Sequence, residues 1–310
     1  DKEIGVFPAP EEVRDLAARG LALSPDSTAL QEMRGEASAR LGDLPAAHAD
    51  FAALLQRAGT AERRSYLLSR LAMLEAGAND YGTALALAER AIQAAGASQP
   101  ARAHALAVAA RIDMNLGHHA RCRQRSAEAL AIFEMTGDAQ GIARIVDTDA
   151  IATLEEGRVA EAVPKFDRAA SAFADLGELF RSVMPRATRG LALNYMGRLD
   201  EALRDIDEAL DIARMLGYRE GEGYALYLRA DALAAQGRGE EAVAAAAEAL
   251  AIAADIGHRE WQSAARAVMG GGYLTQGDLD AAEREFREAL ALAEGMPIHS
   301  TWAASGLVHT

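Results

Sequence analysis

Small and apolar residues recur along the chain at fixed distances from a repeated helix-breaking position. Glycine occupies that position at 40-residue intervals, at Gly117, Gly157, Gly197, Gly237 and Gly277. Gly42 and Asn79 extend the series towards the N-terminus at slightly shorter intervals. A helix often ends at a residue with positive φ, which glycine adopts without a Cβ clash and asparagine tolerates next best. A period of this length predicts a stack of repeated helical units.

The flanking positions keep the same register and predict a close contact between two antiparallel helices in each unit. Seven residues before the break lie Gly35, Ala72, Ala110, Ala150, Gly190, Ala230 and Gly270. Five residues after it lie Ala47, Ala84, Cys122, Ala162, Ala202, Ala242 and Ala282, and twelve after it lie Leu54, Ala91, Ala129, Ala169, Ala209, Ala249 and Ala289. Because small residues on facing helices allow the backbones to approach, these sets define a seam. Larger residues nine after the break, at Phe51, Phe166, Ile206 and Phe286, fill the remaining gaps.

One repeat serves as the template for the others. Ser182 to Tyr195 is predicted as a first helix, residues 196–198 as the turn, and Leu199 to Leu216 as a longer second helix. Gly217 closes the second helix, and residues 218–221 lead to the next pair. A second glycine series, 40 residues apart, marks these closures at Gly137, Gly177, Gly217 and Gly257.

The chain is therefore predicted to be an all-α superhelical solenoid of about seven helical hairpins. Residues 1–27 are expected to hold one helix, from Pro10 to about Leu23, as the tail of an incomplete preceding repeat. Residues 28–297 are expected to form the seven repeats, and residues 298–310 the start of a further helix. Since neither end has a strongly polar cap, we expect the chain to be a piece of a longer protein.

This pattern resembles the tetratricopeptide repeat family. The resemblance is carried by Arg34-Gly35 with Leu41-Gly42-Asp43-Leu44, by Arg189-Gly190 with Met196-Gly197-Arg198-Leu199-Asp200-Glu201-Ala202, and by Gln276-Gly277-Asp278-Leu279-Asp280-Ala281-Ala282. The common unit has about 34 residues. The additional residues here are expected in the second helix and the connector after it. The longer unit is similar to the repeat arrays of bacterial signal-transduction ATPases, transcriptional activators and peptide-sensing regulators.

Composition excludes several classes of partner. The 310-residue chain has a net charge of −14, which disfavours binding to the phosphate backbone of nucleic acids. Its one cysteine, Cys122, excludes an intramolecular disulfide and favours a reducing compartment, so we expect a cytoplasmic location. No run of 18 uncharged apolar residues predicts a membrane span.

The sequence predicts no active site, cofactor or metal. Residues 270–272 are three glycines without the lysine and preceding strand of a phosphate-binding loop. His118 and His119 are adjacent and cannot face one metal together on a helix. Cys122 occupies a periodic alanine position, which predicts a buried and inert thiol. We therefore expect a protein that is not an enzyme.

The face that could bind a partner is the one lined by the first helices, which is concave in stacked hairpins. The predicted binding residues are Arg111, Asn115, Arg144, Asp147, Asn194, Tyr195, Tyr224, Tyr227 and Asp231. Asparagine can pair with both backbone groups of an extended peptide, and tyrosine and arginine are enriched at binding hot spots. The family resemblance implies peptide contact at Arg111, Asn115, Asn194 and Tyr195. The alternative for each residue is solvation or packing between repeats, and packing is the prediction for Tyr218, Trp261 and Trp302.

The sequence therefore favours a scaffold that binds a protein or peptide, as the sensor or interaction arm of a larger bacterial regulator. Two alternatives remain open. One is a module that senses a small molecule or a signal peptide. The other is a non-catalytic segment of a multidomain enzyme.

Overall fold

The computed structural model describes residues 9–294 and 303–308, and this part of the chain contains helices and no strand. The fifteen principal helices are α1 (Pro10–Leu23), α2 (Thr28–Arg40), α3 (Leu44–Gln56), α4 (Ala61–Gly77), α5 (Tyr81–Ala94), α6 (Gln99–Asn115), α7 (His119–Thr136), α8 (Ala139–Glu155), α9 (Val159–Asp175), α10 (Leu179–Tyr195), α11 (Leu199–Leu216), α12 (Arg219–Ala235), α13 (Gly239–Asp255), α14 (Arg259–Gln276) and α15 (Leu279–Leu292). Two compact units, Asp1–Gly141 and Ile142–Thr310, divide within α8. Each unit is described by itself.

Helices α2 to α15 form the seven predicted hairpins, so the fold class predicted from the sequence is confirmed. The repeated glycine stands between the two helices of each pair with positive φ, as at Gly197 (73°), and Asn79 adopts the same conformation (63°). At Gly197 the N–H donates to the carbonyl of Asn194 (2.9 Å), and the N–H of Arg198 donates to the carbonyl of Leu193 (3.0 Å). These two bonds satisfy carbonyls at the end of α10 and turn the chain directly into α11.

The first helices are longer than predicted. Helix α10 begins at Leu179 rather than Ser182, and α12 begins at Arg219, so the predicted connector from Tyr218 to Gly221 is wrong. Gly217 has a φ of 63°, and the Tyr218 N–H donates to the Ala213 carbonyl. The chain therefore reverses its direction between α11 and α12 within two residues. The additional residues of the 40-residue unit therefore lengthen both helices, with 17 residues in α10 and 18 in α11.

The small-residue seam is present inside the hairpins. The residues five after the break are all fully buried, including Cys122, whose thiol is not in a disulfide and lies 3.9 Å from the Ser126 hydroxyl. A Cβ built on Gly190 would lie 2.5 Å from Cγ1 of Ile206 and 2.9 Å from the carbonyl oxygen of Ala202. Glycine is therefore required at this position because a larger residue of the second helix occupies the space.

Ion pairs bridge the same two positions of several hairpins. Arg34 binds Asp50 at 2.6 Å, and Arg189 binds Asp205 at 2.8 Å. In the hairpin of α8 and α9 the charges are exchanged, since Lys165 on the second helix binds Asp149 on the first at 2.6 Å. These pairs satisfy charged groups beside the seam within each hairpin.

Neighbouring hairpins meet through their first helices as well as through consecutive elements. In the first unit α4 packs on α6, and in the second unit α10 packs on α12 and α12 packs on α14. One hydrophobic cluster of the second unit runs from Val183 on α10 to Met269 on α14. The first helices therefore form one surface within that unit.

The structure describes only part of the helix that was predicted for residues 298–310. Residues 303–307 are helical, whereas the predicted helix start at Ile298 and the packing role of Trp302 lie outside the described residues.

Within the described ranges, no helix combines the length and the apolarity needed to cross a membrane.

Candidate functional site

All the predicted binding residues lie on first helices. Arg111 and Asn115 lie on α6 of the first unit, and the second unit holds Arg144 and Asp147 on α8, Asn194 and Tyr195 on α10, and Tyr224, Tyr227 and Asp231 on α12. Arg111, Asn115, Arg144 and Tyr195 are exposed, whereas Asp147, Asn194, Tyr224 and Asp231 are half-buried. Tyr227 is buried. The second unit therefore contains most of the candidate site.

Residues on adjacent first helices meet at a sequence offset of 36 or 37. The Thr188 and Tyr224 hydroxyls are hydrogen bonded at 2.9 Å, an offset of 36. The Asn194 amide donates to Oδ2 of Asp231 at 2.8 Å, an offset of 37. Since the repeat is 40 residues long, the side chains that meet differ from equivalent positions by about one helical turn. These bonds place the two predicted residues Asn194 and Asp231 together between α10 and α12.

Four aromatic rings continue this surface from α12 to α14. Tyr224 packs edge-on against Tyr227, with ring centroids 5.2 Å apart, and its ring lies tilted against that of Trp261 at 5.6 Å. Trp261 in turn stacks on the ring of His258 at 4.0 Å. Aromatic side chains supply a large contact area with few rotatable bonds, and Tyr and Trp are enriched at binding hot spots.

Burial keeps the tyrosine hydroxyls of this surface neutral. Although the Tyr195 side chain is 54% exposed, the protein atoms around it partly desolvate its hydroxyl, and this desolvation, with the Asp231 carboxylate as the next cause, raises the pKa of Tyr195 to about 12. Burial also raises the pKa of Tyr227 well above its ordinary value, and Tyr224 and Asp231 act in the same direction. A neutral hydroxyl donates and accepts hydrogen bonds but is a poor nucleophile. The cluster is therefore equipped for recognition.

Asp231 is the acidic group of this surface. Burial raises the pKa of its carboxyl group, and the hydrogen bond from Asn194 opposes that rise. The other predicted acid, Asp147, also interacts with the cluster, since its charge contributes to the raised pKa of Tyr224. The surface is thus aromatic and amide-rich, with negative charge at two points.

In the first unit, the predicted residues Arg111 and Asn115 are exposed on α6, and neither side chain bonds to another described residue. His104, on the same helix, lies 3.3 Å from Asp138 and packs edge-on against Phe133. The first unit therefore presents an arginine and an asparagine to solvent without an aromatic cluster like that of α12.

Thr188 and Trp261 were not predicted as binding residues. Trp261 was expected to pack between repeats, and it does contact Tyr224 of the preceding first helix, but it thereby extends the aromatic surface. The 36- or 37-residue offset between contacting positions is a signal that sequence reasoning could have used. Trp261 is 37 residues after Tyr224, and Thr188 is 36 before it.

Other candidate chemistry remains structural. The described residues contain no group of three or more His, Cys, Asp or Glu side chains placed to hold a metal ion. His118 instead lies 3.3 Å from the buried carboxylate of Asp113. A cavity of about 430 Å³ lies between α1 and α2, and Glu32, which lines it, is already paired with Arg63 at 2.6 Å.

Comparison with known families decides the identity of the repeats. Two overlapping stretches, residues 181–255 and 221–295, match the family profile described as tetratricopeptide repeat. Residues 181–295 carry tetratricopeptide repeats. The two matches are displaced by 40 residues, which agrees with the glycine period. No curated protein matches the chain in sequence.

Solved structures with tetratricopeptide-like folds resemble almost the whole chain. A Rap protein complexed with Competence and Sporulation Factor superposes with a TM-score of 0.67 at 13% identity, covering 96% of this chain and 90% of that one. A signal transduction ATPase with numerous domains from Pyrococcus horikoshii, which has a tetratricopeptide repeat sensor, gives 0.68 at 14% identity and 96% coverage of this chain. The matched region is 49% of that ATPase, so this chain spans about half its length. A tetratricopeptide repeat protein from Parabacteroides merdae gives 0.58 at 13% identity, covering 97% of this chain and 100% of that one. At these identities the likeness establishes the tetratricopeptide-repeat fold.

Proposed function

We propose that the first-helix face of α10, α12 and α14 binds a peptide or an extended segment of a partner protein. The observation that carries this proposal is the cluster of Asn194, Tyr195, Tyr224, Asp231 and Trp261, which brings an amide, a carboxylate and aromatic rings onto one surface. Tyr195 is 54% exposed at the C-terminal end of α10. An exposed tyrosine beside hydrogen-bonding groups can supply contact area and a polar tip to a ligand.

The Rap protein complexed with Competence and Sporulation Factor is the second support. That protein shares the fold and was crystallised with Competence and Sporulation Factor, and the Pyrococcus horikoshii ATPase is described as having a repeat sensor. By analogy we propose that this chain is the sensor or interaction arm of a larger bacterial regulator. A ligand on first helices of successive hairpins would favour one spacing of those helices over another, which couples binding to the geometry of the array.

The proposal also covers the cellular location of the chain, catalysis and nucleic-acid binding. The chain acts in the cytoplasm without catalysis and without contacting nucleic acid. The net charge of −14 opposes phosphate contacts, and the neutral tyrosines and paired acids provide no activated nucleophile. The partner is therefore a protein or peptide ligand.

The test is selection of peptides from a displayed random heptapeptide library on the 310-residue chain, followed by affinity measurement on single variants. Tyr195→Ala should weaken the selected peptides about tenfold or more, as for a hot-spot tyrosine. Phe180→Ala is the matched control, because Phe180 is an exposed aromatic residue (46%) at the other end of α10, and it should have little effect.

Two outcomes would contradict the proposal. One is failure of the library to yield peptides that bind the folded chain. The other is peptides that bind Tyr195→Ala as tightly as the wild type, because their site would then lie elsewhere. A thermal shift with small metabolites in place of peptides would favour the small-molecule alternative.

A further inference from the structure

Asp231 differs from neighbouring carboxylates in having no cationic partner. Asp205 pairs with Arg189 at 2.8 Å, and Asp207 pairs with Arg229 at 2.7 Å. Asp231 accepts one bond from the neutral amide of Asn194 and forms no ion pair with any described residue. Arg229, two residues earlier on α12, is directed to Asp207 of α11 instead. Among the residues that the structure describes, the carboxylate is therefore without a counter-charge.

An uncompensated carboxylate in a half-buried position is unfavourable. Transfer of a charge away from water costs free energy unless a counter-charge or several hydrogen bonds replace the lost hydration. Burial does raise the pKa of Asp231, which is the expected response of an acid without a cation nearby. A ligand that supplies positive charge would remove this penalty.

The bond between Asn194 and Asp231 leaves a second acceptor unsatisfied. The Nδ2 group of Asn194 is used by Asp231, and its Oδ1 atom is buried without a hydrogen-bond donor among the described residues. The pair therefore offers two further acceptors, the second carboxylate oxygen of Asp231 and Oδ1 of Asn194, beside the one remaining N–H of the Asn194 amide. Because Oδ1 is covered, a ligand reaches the carboxylate of Asp231 first and the amide oxygen only when the Asn194 side chain turns.

Aromatic rings surround this acceptor pair. Tyr227 lies one helical turn before Asp231 on α12, and Tyr195 follows Asn194 at the end of α10, so both phenol rings belong to the same two helix segments as the pair. In agreement, the Asp231 charge contributes to the raised pKa of both Tyr195 and Tyr227. Tyr227 packs against Tyr224, and Tyr195 is open to solvent. The face of a phenol ring attracts a cation, and this attraction grows when the cation is partly desolvated.

We propose that Asp231 and Asn194, flanked by Tyr195 and Tyr227, form a subsite for the guanidinium group of an arginine side chain in the bound peptide. This inference rests on the proposed function and adds the chemistry of one ligand residue. A guanidinium group carries five N–H donors in a plane, pairs bidentately with a carboxylate and stacks on aromatic rings. A lysine ammonium is more strongly hydrated and loses more on entering a half-buried site. The net charge of −14 also steers a basic peptide towards the chain.

The experiment uses peptides selected from the displayed heptapeptide library, synthesised with one substitution each. We expect arginine at a fixed position in the selected sequences. Replacement of that arginine by citrulline, which keeps the shape and removes the charge, should weaken binding about thirtyfold or more. Replacement by lysine should cause a smaller loss.

The protein side of the same test uses Asp231→Asn with Asp207→Asn as the matched control. Both variants remove one negative charge from the second unit, but Asp207 is paired with Arg229. Asp231→Asn should cause a loss similar to that of citrulline, and citrulline should cause little further loss on Asp231→Asn. Asp207→Asn should bind the arginine peptide like the wild type. Thermal unfolding followed by circular dichroism checks that both variants are folded.

The outcomes separate this inference from the proposed function. Peptides that are weakened by Tyr195→Ala but bind Asp231→Asn normally would overturn the arginine subsite and leave the peptide site standing. An equal citrulline penalty on wild type and on Asp231→Asn would overturn the subsite in the same way. Peptides that are unaffected by Tyr195→Ala as well, or a library that yields none, would overturn both.

Discussion

Two buried or half-buried carboxylates of this chain, Asp113 and Asp231, have opposite surroundings. Asp113 lies inside the hairpin of α6 and α7, is fully buried, and has Arg121 at 2.6 Å, Arg125 at 3.2 Å and His118 at 3.3 Å. Asp231 lies between two first helices of the second unit and receives one bond from a neutral amide. The first carboxylate is surrounded by potential cations, whereas the second has none within the described part of the chain.

The surroundings of the two carboxylates differ because of where each one lies in the repeat. Inside a hairpin both helices are permanent neighbours, so a network of arginines can satisfy the carboxylate within the fold. On the first-helix surface no described residue supplies a counter-charge to Asp231. We therefore propose that stability and recognition depend on different carboxylates, and the following substitutions test that division.

The largest effect is expected at Asp113. Asp113→Asn removes the charge that Arg121 and Arg125 share, and Arg125, whose side chain is only 11% exposed, is then left with the exposed carboxylate of Glu89. Loss of one member of a buried ion pair should reduce the free energy of unfolding by about 3 kcal/mol. Asp231→Asn is the control and should change it by less than about 1 kcal/mol, because no cation loses a partner. Urea unfolding followed by circular dichroism measures both, and equal losses would contradict the division.

A smaller effect is expected when a glycine of a first helix is replaced by alanine. Gly190→Ala places a Cβ 2.5 Å from Ile206 and 2.9 Å from a backbone oxygen, so the hairpin of α10 and α11 must open. We expect a loss of about 2 kcal/mol, as for overpacking of a close contact. Gly271→Ala, on α14, meets no atom within 4 Å and should instead gain up to about 1 kcal/mol from helix propensity. Thermal unfolding of both variants measures the contrast, and a destabilised Gly271→Ala would show that α14 needs its glycine for another reason.

The smallest effect concerns the pH dependence of stability at Asp231. Its pKa is raised in the folded chain above the ordinary value of 3.8, so the folded state binds more protons than the unfolded state just above that value. Stability contributed by this group is present at low pH and is lost as pH rises through the raised pKa. The stability of Asp231→Asn relative to wild type should therefore increase between about pH 4 and pH 7. Urea unfolding at several pH values checks this, and a relative decrease would mean that an unseen donor stabilises the carboxylate.

Much of the fold follows from local sequence. The repeated glycines and Asn79 predicted where each hairpin turns, because few residues adopt positive φ at low cost. The seam followed from the spacing of small residues, and Gly190 shows why, since its place is filled by Ile206. The connector after α11 was predicted too long, because the closing bonds at Gly217 and Tyr218 depend on geometry that residue type alone does not reveal.

The candidate site was accessible from sequence only in part. Helical register placed Asn194, Tyr224 and Asp231 on first helices, and the structure has them there. Nothing in the register showed that Asn194 would bond to Asp231, or that Trp261 would join Tyr224. Those contacts depend on how far one first helix is displaced along its neighbour.

The sequence by itself determined the repeat, the turns and the small-residue seam, because each rests on interactions between residues close in the chain. Only the tertiary structure decided which carboxylates have cationic partners. Carboxylates and arginines occur throughout the sequence. Which of them form pairs depends on distances of a few ångströms between helices that are distant in the chain. Asp231 and Arg229 are only two residues apart in the chain. In the packed structure, however, Arg229 donates a hydrogen bond to Asp207, and Asp231 accepts one from Asn194.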